Sequence, residues 1–321
     1  MALTSVHATP AGSFGYRRAT LSIGLLAAAA LAYLAALEIG ARVLYPRHSA
    51  LAARIRSDWS AARRVGVSPL PGRRSFLLVG NSLLEAGIDR TQLSDLQQSN
   101  DLSITLMPIE NTNYLDWYFG VRRLLAEGSK PEFVVLSLVP GQLISDRTDG
   151  ELFARMLMRP TDILQVKQAA RLDWTTTSTY LMASASAWMG NSTGIRNWIR
   201  AETVPGMAKL APLFPEAATA PQTAGSVEEI AARRLTQFAA MCATRGCKVL
   251  LLIPAIMRQS QIESLAAVIR AGYDAGVPVL IPVAPAELGP SYFSDGFHLN
   301  PGGAGIFTSR LVAALQAISH N

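Results

Sequence analysis

Ser75-Phe-Leu-Leu-Val-Gly-Asn-Ser82 is the stretch that decides the fold of this chain. Its short, continuous apolar run is typical of a strand buried on both faces of a parallel sheet. The Gly-Asn-Ser that closes the run predicts a tight turn at the carboxyl end of that strand. Because ligands of open parallel sheets bind at the carboxyl ends of the strands, Ser82 lies where a functional side chain is expected.

Further along the chain, apolar runs alternate with helical patterns. The runs predict strands at residues 104–109, 133–139, 248–253 and 277–281. Apolar residues at three- and four-residue spacing, or long segments without breakers, predict helices at residues 114–125, 227–244, 259–275 and 302–318. This alternation predicts an α/β fold in which helices cover both faces of a parallel sheet. Residues 150–224 show no clear strand and are interpreted as a helical insertion or cap over the sheet.

The N-terminal part differs in composition from the rest. The chain has 321 residues, of which 50% are hydrophobic and 16% charged, so it can form one large domain with an additional membrane segment. An uncharged apolar stretch predicts a transmembrane anchor over residues 19–40, although a signal peptide has a similar composition. The remaining boundaries are a tail at 1–18, a basic juxtamembrane linker at 41–74 and a domain at 75–321.

The orientation of the anchor stays open on the sequence. Arg17 and Arg18 directly precede the apolar stretch, but several arginines follow it. Counting positive charges near both ends puts the domain in the cytoplasm, whereas large domains translocate largely regardless of charge.

The linker carries much of the net charge of +6. Two interpretations remain open: contact with anionic lipid head groups, and a plain solvated linker. Nucleic acid is not expected as a partner, because Trp59 is the only aromatic residue among the arginines. The run consists of Arg47, Arg54, Arg56, Arg63, Arg64, Arg73 and Arg74, against the single acid Asp58.

Of the four histidines, only His298 lies beside the predicted sheet; the other three are in the tail, in the linker or next to the C-terminus. It follows the last predicted strand, and Asp295 precedes it by three residues across a glycine that permits a tight turn. A serine hydroxyl needs a neighbouring base to act as a nucleophile, and the base needs a carboxylate to orient it. Gly-Asn-Ser or Asp-x-x-His alone is more often a solvated turn. Together, at the ends of the first and last strands, they predict a Ser82–His298–Asp295 triad.

These two blocks resemble those of the SGNH/GDSL hydrolases, with Asn81 in place of the usual Asp. The resemblance implies a flavodoxin-like three-layer α/β/α fold, with Ser82 as nucleophile, His298 as base and Asp295 as the residue that orients it. The anchor and His298-Leu-Asn-Pro-Gly-Gly303 resemble the membrane-anchored branch that includes alginate O-acetylation proteins and the D-alanyl transfer protein of teichoic acid modification.

The oxyanion residues of that family are missing at their usual places. The family draws donors from a Gly after the second strand and an Asn after the third, where this chain has Glu110-Asn-Thr-Asn113 and Val139-Pro-Gly-Gln142. The candidates for oxyanion or substrate contacts are therefore Asn81, Asn111, Asn113 and Gln142. Loss of one oxyanion donor typically slows an enzyme by about 10²–10³-fold, so a slow, selective or partner-dependent enzyme is expected.

The resemblance implies a serine esterase or O-acyltransferase that acts on a cell-envelope or exported polysaccharide. It further implies a single-pass protein of the bacterial inner membrane, with its domain in the periplasm and a membrane-bound acyltransferase as partner. The alternatives are a non-catalytic scaffold of a polymer modification or export complex, and an ordinary lipid-ester or thioester hydrolase. No cofactor or metal is implied, since no phosphate loop or ligand cluster is present. Cys242 and Cys247 are equally compatible with a disulfide and with two buried thiols.

Overall fold

A five-stranded, all-parallel sheet forms the centre of the protein. The computed structural model describes residues 13–67, 72–203 and 224–319. The strand order β2-β1-β3-β4-β5 is that of flavodoxin-like doubly wound sheets, which confirms the predicted fold class. Each predicted strand is present. They are β1 (Arg74–Gly80), β2 (Leu102–Pro108), β3 (Phe133–Ser137), β4 (Lys248–Leu252) and β5 (Val279–Leu280).

Two helical layers cover the sheet, because successive side chains of each strand point to opposite faces. On β1, Leu77 and Val79 contribute to one core cluster, whereas Phe76 and Leu78 contribute to the other. The helices that bury residues in the first cluster are α3 (Ala50–Arg64), α6 (Tyr114–Ala126), α8 (Gly150–Met156), α13 (Ala224–Ala243) and α14 (Gln259–Asp274). Those that contribute mainly to the second cluster are α4 (Ser82–Gly87), α5 (Arg90–Ser99) and α15 (Pro301–Ser319).

The predicted insertion is helical over its described part. Phe153 of α8 packs against Tyr180, with ring centroids 5.9 Å apart, which joins the insertion to the first core cluster. Its other helices, together with the short helix after β3, are α7 (Pro140–Leu143), α9 (Ile163–Ala169), α10 (Trp174–Ala185), α11 (Ala187–Gly190) and α12 (Ser192–Thr203). Four parts of the predicted segments lie outside the described residues: 1–12 of the tail, 68–71 of the linker, 204–223 of the insertion and 320–321 of the domain.

One N-terminal helix is long and apolar enough to span a membrane, and a signal sequence has the same properties. Helix α1 (Ser13–Ile39) continues through a π-helical segment (Gly40–Leu44) into α2 (Tyr45–His48). The Glu38 carboxylate accepts hydrogen bonds from Ser186 Oγ and from the backbone N–H groups of Ala187 and Trp188, at 2.8–3.1 Å. The apolar helix is therefore joined to the insertion by a carboxylate that caps the start of α11.

The basic linker prediction for residues 41–74 needs a correction, because most of this segment is folded onto the domain. Ile55, Trp59 and Ala62 of α3 are buried in the first core cluster. The apolar residues at helical spacing give α3 a face that is stabilised only when the sheet domain covers it. Two of its arginines, together with Arg74 of β1, form ion pairs with acids of the domain. These pairs are Arg54–Glu110, Arg54–Glu85, Arg63–Glu127 and Arg74–Glu132.

Cys242 and Cys247 are free, buried thiols. The thiol of Cys247 donates to the carbonyl oxygen of Cys242, at 3.2 Å, where α13 turns toward β4. Of the two alternatives left by the sequence, the structure therefore has the pair of buried thiols.

The packing of α3 generates a prediction for the tryptophans. Trp59 is buried beneath the Arg123 guanidinium, which lies 5.3 Å from its ring centroid. Trp59→Ala leaves a large cavity, so we expect the free energy of unfolding to fall by about 3–5 kcal/mol. Trp174, which is 68% exposed, is the matched control, and Trp174→Ala should cost less than about 1 kcal/mol. Urea denaturation in detergent, followed by far-UV circular dichroism, measures both; equal losses would contradict the integration of α3 into the domain.

Candidate active site

Ser82 is the first residue of α4, directly after the turn that ends β1. The preceding residue, Asn81, is 1% exposed and holds this turn in place. Its side-chain oxygen accepts a hydrogen bond from Leu83 N at 3.0 Å, and its amide donates to the carbonyl oxygen of Thr112 at 3.1 Å. Asn81 is thus the N-cap of α4 and also a tie to the loop after β2, which leaves the half-buried Ser82 at the carboxyl edge of the sheet.

Asp295 and His298 lie in a tight turn just before α15. Asp295 Oδ1 accepts hydrogen bonds from the backbone N–H groups of Phe297 and His298, at 2.9 and 2.7 Å. Gly296 has a φ of +75°, a conformation that a residue with a side chain rarely adopts, so the glycine allows the turn to close. A backbone hydrogen bond closes the turn: Ser294 N donates to the carbonyl oxygen of His298 at 2.8 Å.

The three side chains meet in one hydrogen-bonded chain. His298 Nδ1 is 2.7 Å from Asp295 Oδ2, and His298 Nε2 is 2.9 Å from Ser82 Oγ, across 216 residues of sequence. With the proton on Nδ1, the ring donates to the carboxylate and accepts from the serine hydroxyl. Partial burial would raise the pKa of Asp295, but the hydrogen bonds from His298 and Phe297 outweigh it and lower that pKa, so the carboxylate is charged at neutral pH.

The four residues predicted for oxyanion or substrate contacts have different surroundings. Asn81 is occupied by the two bonds of its turn. Asn113 Nδ2 donates to the Asn111 carbonyl oxygen at 3.2 Å, and Gln142 Oε1 accepts from Val139 N at 3.1 Å. Asn111 is exposed at a φ of +60°, and no described residue contacts its side-chain amide by a hydrogen bond. Asn81 and Asn113 thus donate to nearby backbone, whereas the side-chain N–H groups of Asn111 and Gln142 have no hydrogen-bond acceptor among the described residues.

An ion-pair network behind Ser82 escaped the sequence prediction. Arg54 of α3 donates to the carbonyl oxygen of Pro108 at 3.2 Å and pairs with Glu110 and Glu85. Glu85, which lies one helical turn after Ser82, also pairs with Arg90 at 2.7 Å. The network ties the linker helix, the end of β2 and the start of α4 together. Sequence reasoning missed it because charges so far apart in the chain give no local pattern.

A second missed feature is a pair of buried or half-buried carboxyls beside the loop after β2. Asp116 is fully buried and accepts hydrogen bonds from the backbone N–H groups of Asn113 and Asp149, at 2.7 and 2.8 Å. Burial raises the pKa of Asp116 to about 8. Burial, with the nearby carboxylates of Glu110 and Glu151, raises the pKa of Asp149 to about 7. This loop is therefore fixed by a carboxyl that links it to the start of α8.

Arg258, in the loop after β4, also borders the site. Its guanidinium stacks on the Phe297 ring at 4.2 Å, and that ring lies 5.0 Å from the His298 ring. Such a cation–π contact favours one placement of the turn that carries the histidine. A position at the carboxyl end of a strand was the only sequence signal for this residue.

Comparison with known proteins gives a limited result. No family model matches the chain, and no curated protein matches it significantly. Among solved structures, the crystal structure of TesA is 14% identical with a TM-score of 0.40, covering 76% of this chain and 99% of that one. An assigned SGNH hydrolase from Slackia heliotrinireducens is 11% identical with a TM-score of 0.36, covering 76% and 98%. The lipase Lip_vut3 from a goat rumen metagenome is 10% identical with a TM-score of 0.36, covering 75% and 97%. At these values, function has to be argued from the geometry of the site.

The raised pKa of Asp149 generates a prediction for stability. An acid whose pKa is raised by folding stabilises the protein below its ordinary pKa, near 3.9, and loses that contribution as the pH rises through 7. The free energy of unfolding should therefore fall between about pH 4 and 7, by at most about 1.4 kcal/mol per pH unit from this group. Asp149→Asn should reduce this dependence of the unfolding free energy on pH. Part of the dependence should remain, because the pKa of Asp116 is also raised. Urea denaturation at several pH values in this range measures the unfolding free energy.

The matched control for this prediction is Asp274→Asn, which removes an exposed carboxyl at the end of α14. We expect the control to keep the slope of the parent protein. If Asp149→Asn and Asp274→Asn gave the same pH dependence, the assignment of a raised pKa to Asp149 would be wrong.

Proposed function

We propose that this chain is a membrane-anchored serine esterase or O-acyltransferase in which Ser82 is the nucleophile. The observation that carries the proposal is the hydrogen-bonded chain from Ser82 Oγ through His298 to Asp295, with links of 2.9 and 2.7 Å. Nucleophile, base and orienting carboxylate within hydrogen-bond reach are the geometric signature of this chemistry. Their position at the carboxyl edge of the sheet agrees with the usual location of ligand sites in such folds.

The proposed reaction has two halves. As Ser82 Oγ attacks the carbonyl carbon of an ester, its proton passes to His298 Nε2, and the ionised Asp295 stabilises the imidazolium. The ester bond then breaks, and His298 returns the proton to the departing alkoxide, which leaves an acyl-serine. In the second half, water or a sugar hydroxyl attacks the acyl-serine, His298 takes its proton, and Ser82 Oγ leaves and recovers the proton.

The oxyanion donors are the weakest part of the proposed machinery. Ser82 is the first residue of α4, and the first amides of a helix have no acceptor within the helix, so the Ser82 N–H is one candidate donor. Asn111 is the second candidate, because its amide is exposed and binds no other described residue. A site with one backbone and one exposed side-chain donor agrees with a slow or partner-dependent enzyme.

The proposed substrate is an acyl ester of a cell-envelope or exported polysaccharide, with the domain in the periplasm of a bacterium. Its support is the apolar helix, which continues into α2 and is held to the insertion through Glu38. A membrane-bound acyltransferase is proposed as the partner that supplies the acyl group. The tether would keep the site within a short distance of that partner and of the exported chain.

A non-catalytic scaffold is the second candidate function. The observation in its favour is that Asn81 and Asn113 donate to nearby backbone carbonyl oxygens, so two of the four candidate side-chain oxyanion donors are already occupied. Complementation of a deletion strain with Ser82→Ala separates the two functions. Full rescue would favour the scaffold, and loss of acylation would favour the enzyme.

The proposed nucleophile predicts selective covalent labelling. A fluorophosphonate probe should label the folded protein, and Ser82→Ala should abolish the labelling. Asp295→Asn should slow it by about 10²–10⁴-fold, because the imidazole loses the carboxylate that selects its tautomer. Ser264→Ala, which changes a serine on the surface of α14, is the control and should label at the parent rate. In-gel fluorescence over time gives the rates; labelling that persists in Ser82→Ala would rule out this nucleophile.

The proposed location predicts the outcome of C-terminal fusions. Alkaline phosphatase folds to an active enzyme in the periplasm, whereas green fluorescent protein fluoresces in the cytoplasm. We expect an active phosphatase fusion and a dark fluorescent-protein fusion. The reverse pattern would put the site in the cytoplasm and favour soluble thioesters as substrates.

A further inference from the structure

A cavity of about 590 Å³ lies beside the candidate active site, and Asn111 is the one residue of its lining that has a role in the chemistry proposed above. Its volume is within the range of small-molecule sites. Ala41, Arg42 and Tyr45 from the continuation of the apolar helix form part of its wall. A ligand in this cavity would thus contact residues that begin two positions after Ile39, the last residue of α1.

The cavity is separated from Ser82 by one loop. Glu110 and Asn111, which follow β2, line the cavity. The next residue, Thr112, accepts the hydrogen bond from Asn81 that fixes the turn before Ser82. The cavity and the hydroxyl therefore lie on the same edge of the sheet, on either side of the Asn111–Thr112 segment.

The cavity has an apolar wall of side chains from two helices. Leu51, Ile55 and Trp59 come from α3, and Leu152 and Met156 come from α8. These side chains suit an alkyl segment, since apolar surface buried against them is removed from water.

Charges of opposite sign occur at the two ends of α8. Asp149 and Glu151 flank its first residue, and Arg155 lies near its last. At about 1.5 Å per residue, Asp149 and Arg155 are separated by about 9 Å along the helix axis. All three line the cavity, so its charge changes sign from the loop side toward the apolar helix, where Arg42, which pairs with Glu38 at 2.6 Å, also lines it.

Arg155 and Asp149 have no partner of opposite charge among the described residues, whereas Glu110 pairs with Arg54 through one of its two oxygens. Arg155 Nη1 donates to the carbonyl oxygen of Ser184 at 3.0 Å, and within the described chain no carboxylate lies within 4 Å of its guanidinium. No described residue donates a hydrogen bond to the Asp149 carboxylate, and Glu110 Oε2 is buried without a partner. The cationic end therefore suits a phosphate, and the acidic end suits hydrogen-bond donors.

We infer that this cavity binds the head region of a membrane phospholipid whose head group carries N–H or O–H donors beyond the phosphate. The phosphate would bind at Arg155, the donors at Asp149 and Glu151, and the first carbons of the acyl chains along the apolar wall. We choose this occupant because the cavity lies at the end of the apolar helix and carries charges of opposite sign at its two ends. The inference goes beyond the proposed function, because binding of this kind does not require a nucleophilic serine.

Calorimetric titration of the full chain carrying Ser82→Ala, in detergent, tests this inference. The probes are dihexanoyl phosphatidylethanolamine, which has N–H donors, dihexanoyl phosphatidylcholine, which has none, and inorganic phosphate. We expect the ethanolamine lipid to bind at least about 10-fold more tightly than the choline lipid. Phosphate alone should bind weakly. Because Ser82 is absent from the tested protein, a failed binding test and a failed labelling test are distinguishable.

Variants at the two ends of the cavity should have different effects. Asp149→Asn combined with Glu151→Gln should reduce the preference between the two lipids, since neutral amide oxygens accept hydrogen bonds from an ammonium more weakly than carboxylates do. Arg155→Gln should weaken both lipids by about 10-fold, because both carry the phosphate. Arg270→Gln and Glu228→Gln disrupt a surface ion pair outside the cavity and should change nothing. Thermal unfolding of each variant verifies that the protein is folded.

Three outcomes would overturn the inference. Equal affinity for the two lipids in the parent protein would remove the role of the acidic end. Phosphate alone binding as tightly as either lipid would make the cavity a simple anion site. Binding that is insensitive to both sets of cavity variants would put the lipid elsewhere on the protein.

Discussion

The two hydrogen bonds of the Asn81 side chain hold the functional edge of the sheet together. One closes the turn that begins α4, and the other ties that turn to the Thr112 carbonyl after β2. Because Asn81 is almost fully buried, each bond also satisfies groups that water cannot reach. Ser82 on one side of this tie and the cavity-lining Asn111 on the other therefore have fixed positions relative to each other. Loss of the amide would disturb both at once.

The fold and the triad were predictable because both depend on local patterns. The strands at 75–79, 133–139 and 248–253 are short continuous apolar runs bounded by turn residues, a pattern typical of a sheet covered on both faces. His298 was predictable because it is the only histidine beside a strand end. Turns at the carboxyl ends of parallel strands meet at one edge, so topology brought it to Ser82 without any knowledge of side-chain packing.

The surroundings of the triad were not predictable, because they depend on contacts between distant segments. Arg54 belongs to a basic run that suggested lipid or solvent, yet its partners Glu85 and Glu110 lie in two other elements. Asp116 resembles any surface acid of an amphipathic helix, but it is fully buried and binds the Asp149 amide. The oxyanion candidates could be named by position. Whether each amide is free or bound to backbone depends on the conformation of its loop.

The exposure of the triad bears on the choice between hydrolysis and transfer. The His298 side chain is 29% exposed and that of Asp295 is 48% exposed, so water reaches the base directly. The described part of the insertion, residues 150–203, makes no hydrogen bond to the triad; its helices border the cavity on the other side of the Asn111 loop. Under the proposed function, an acyl-serine formed in such an open site would be hydrolysed unless water is excluded. Transfer to a sugar would therefore require another molecule over the triad, either the acceptor polymer or a membrane partner held close by the apolar helix.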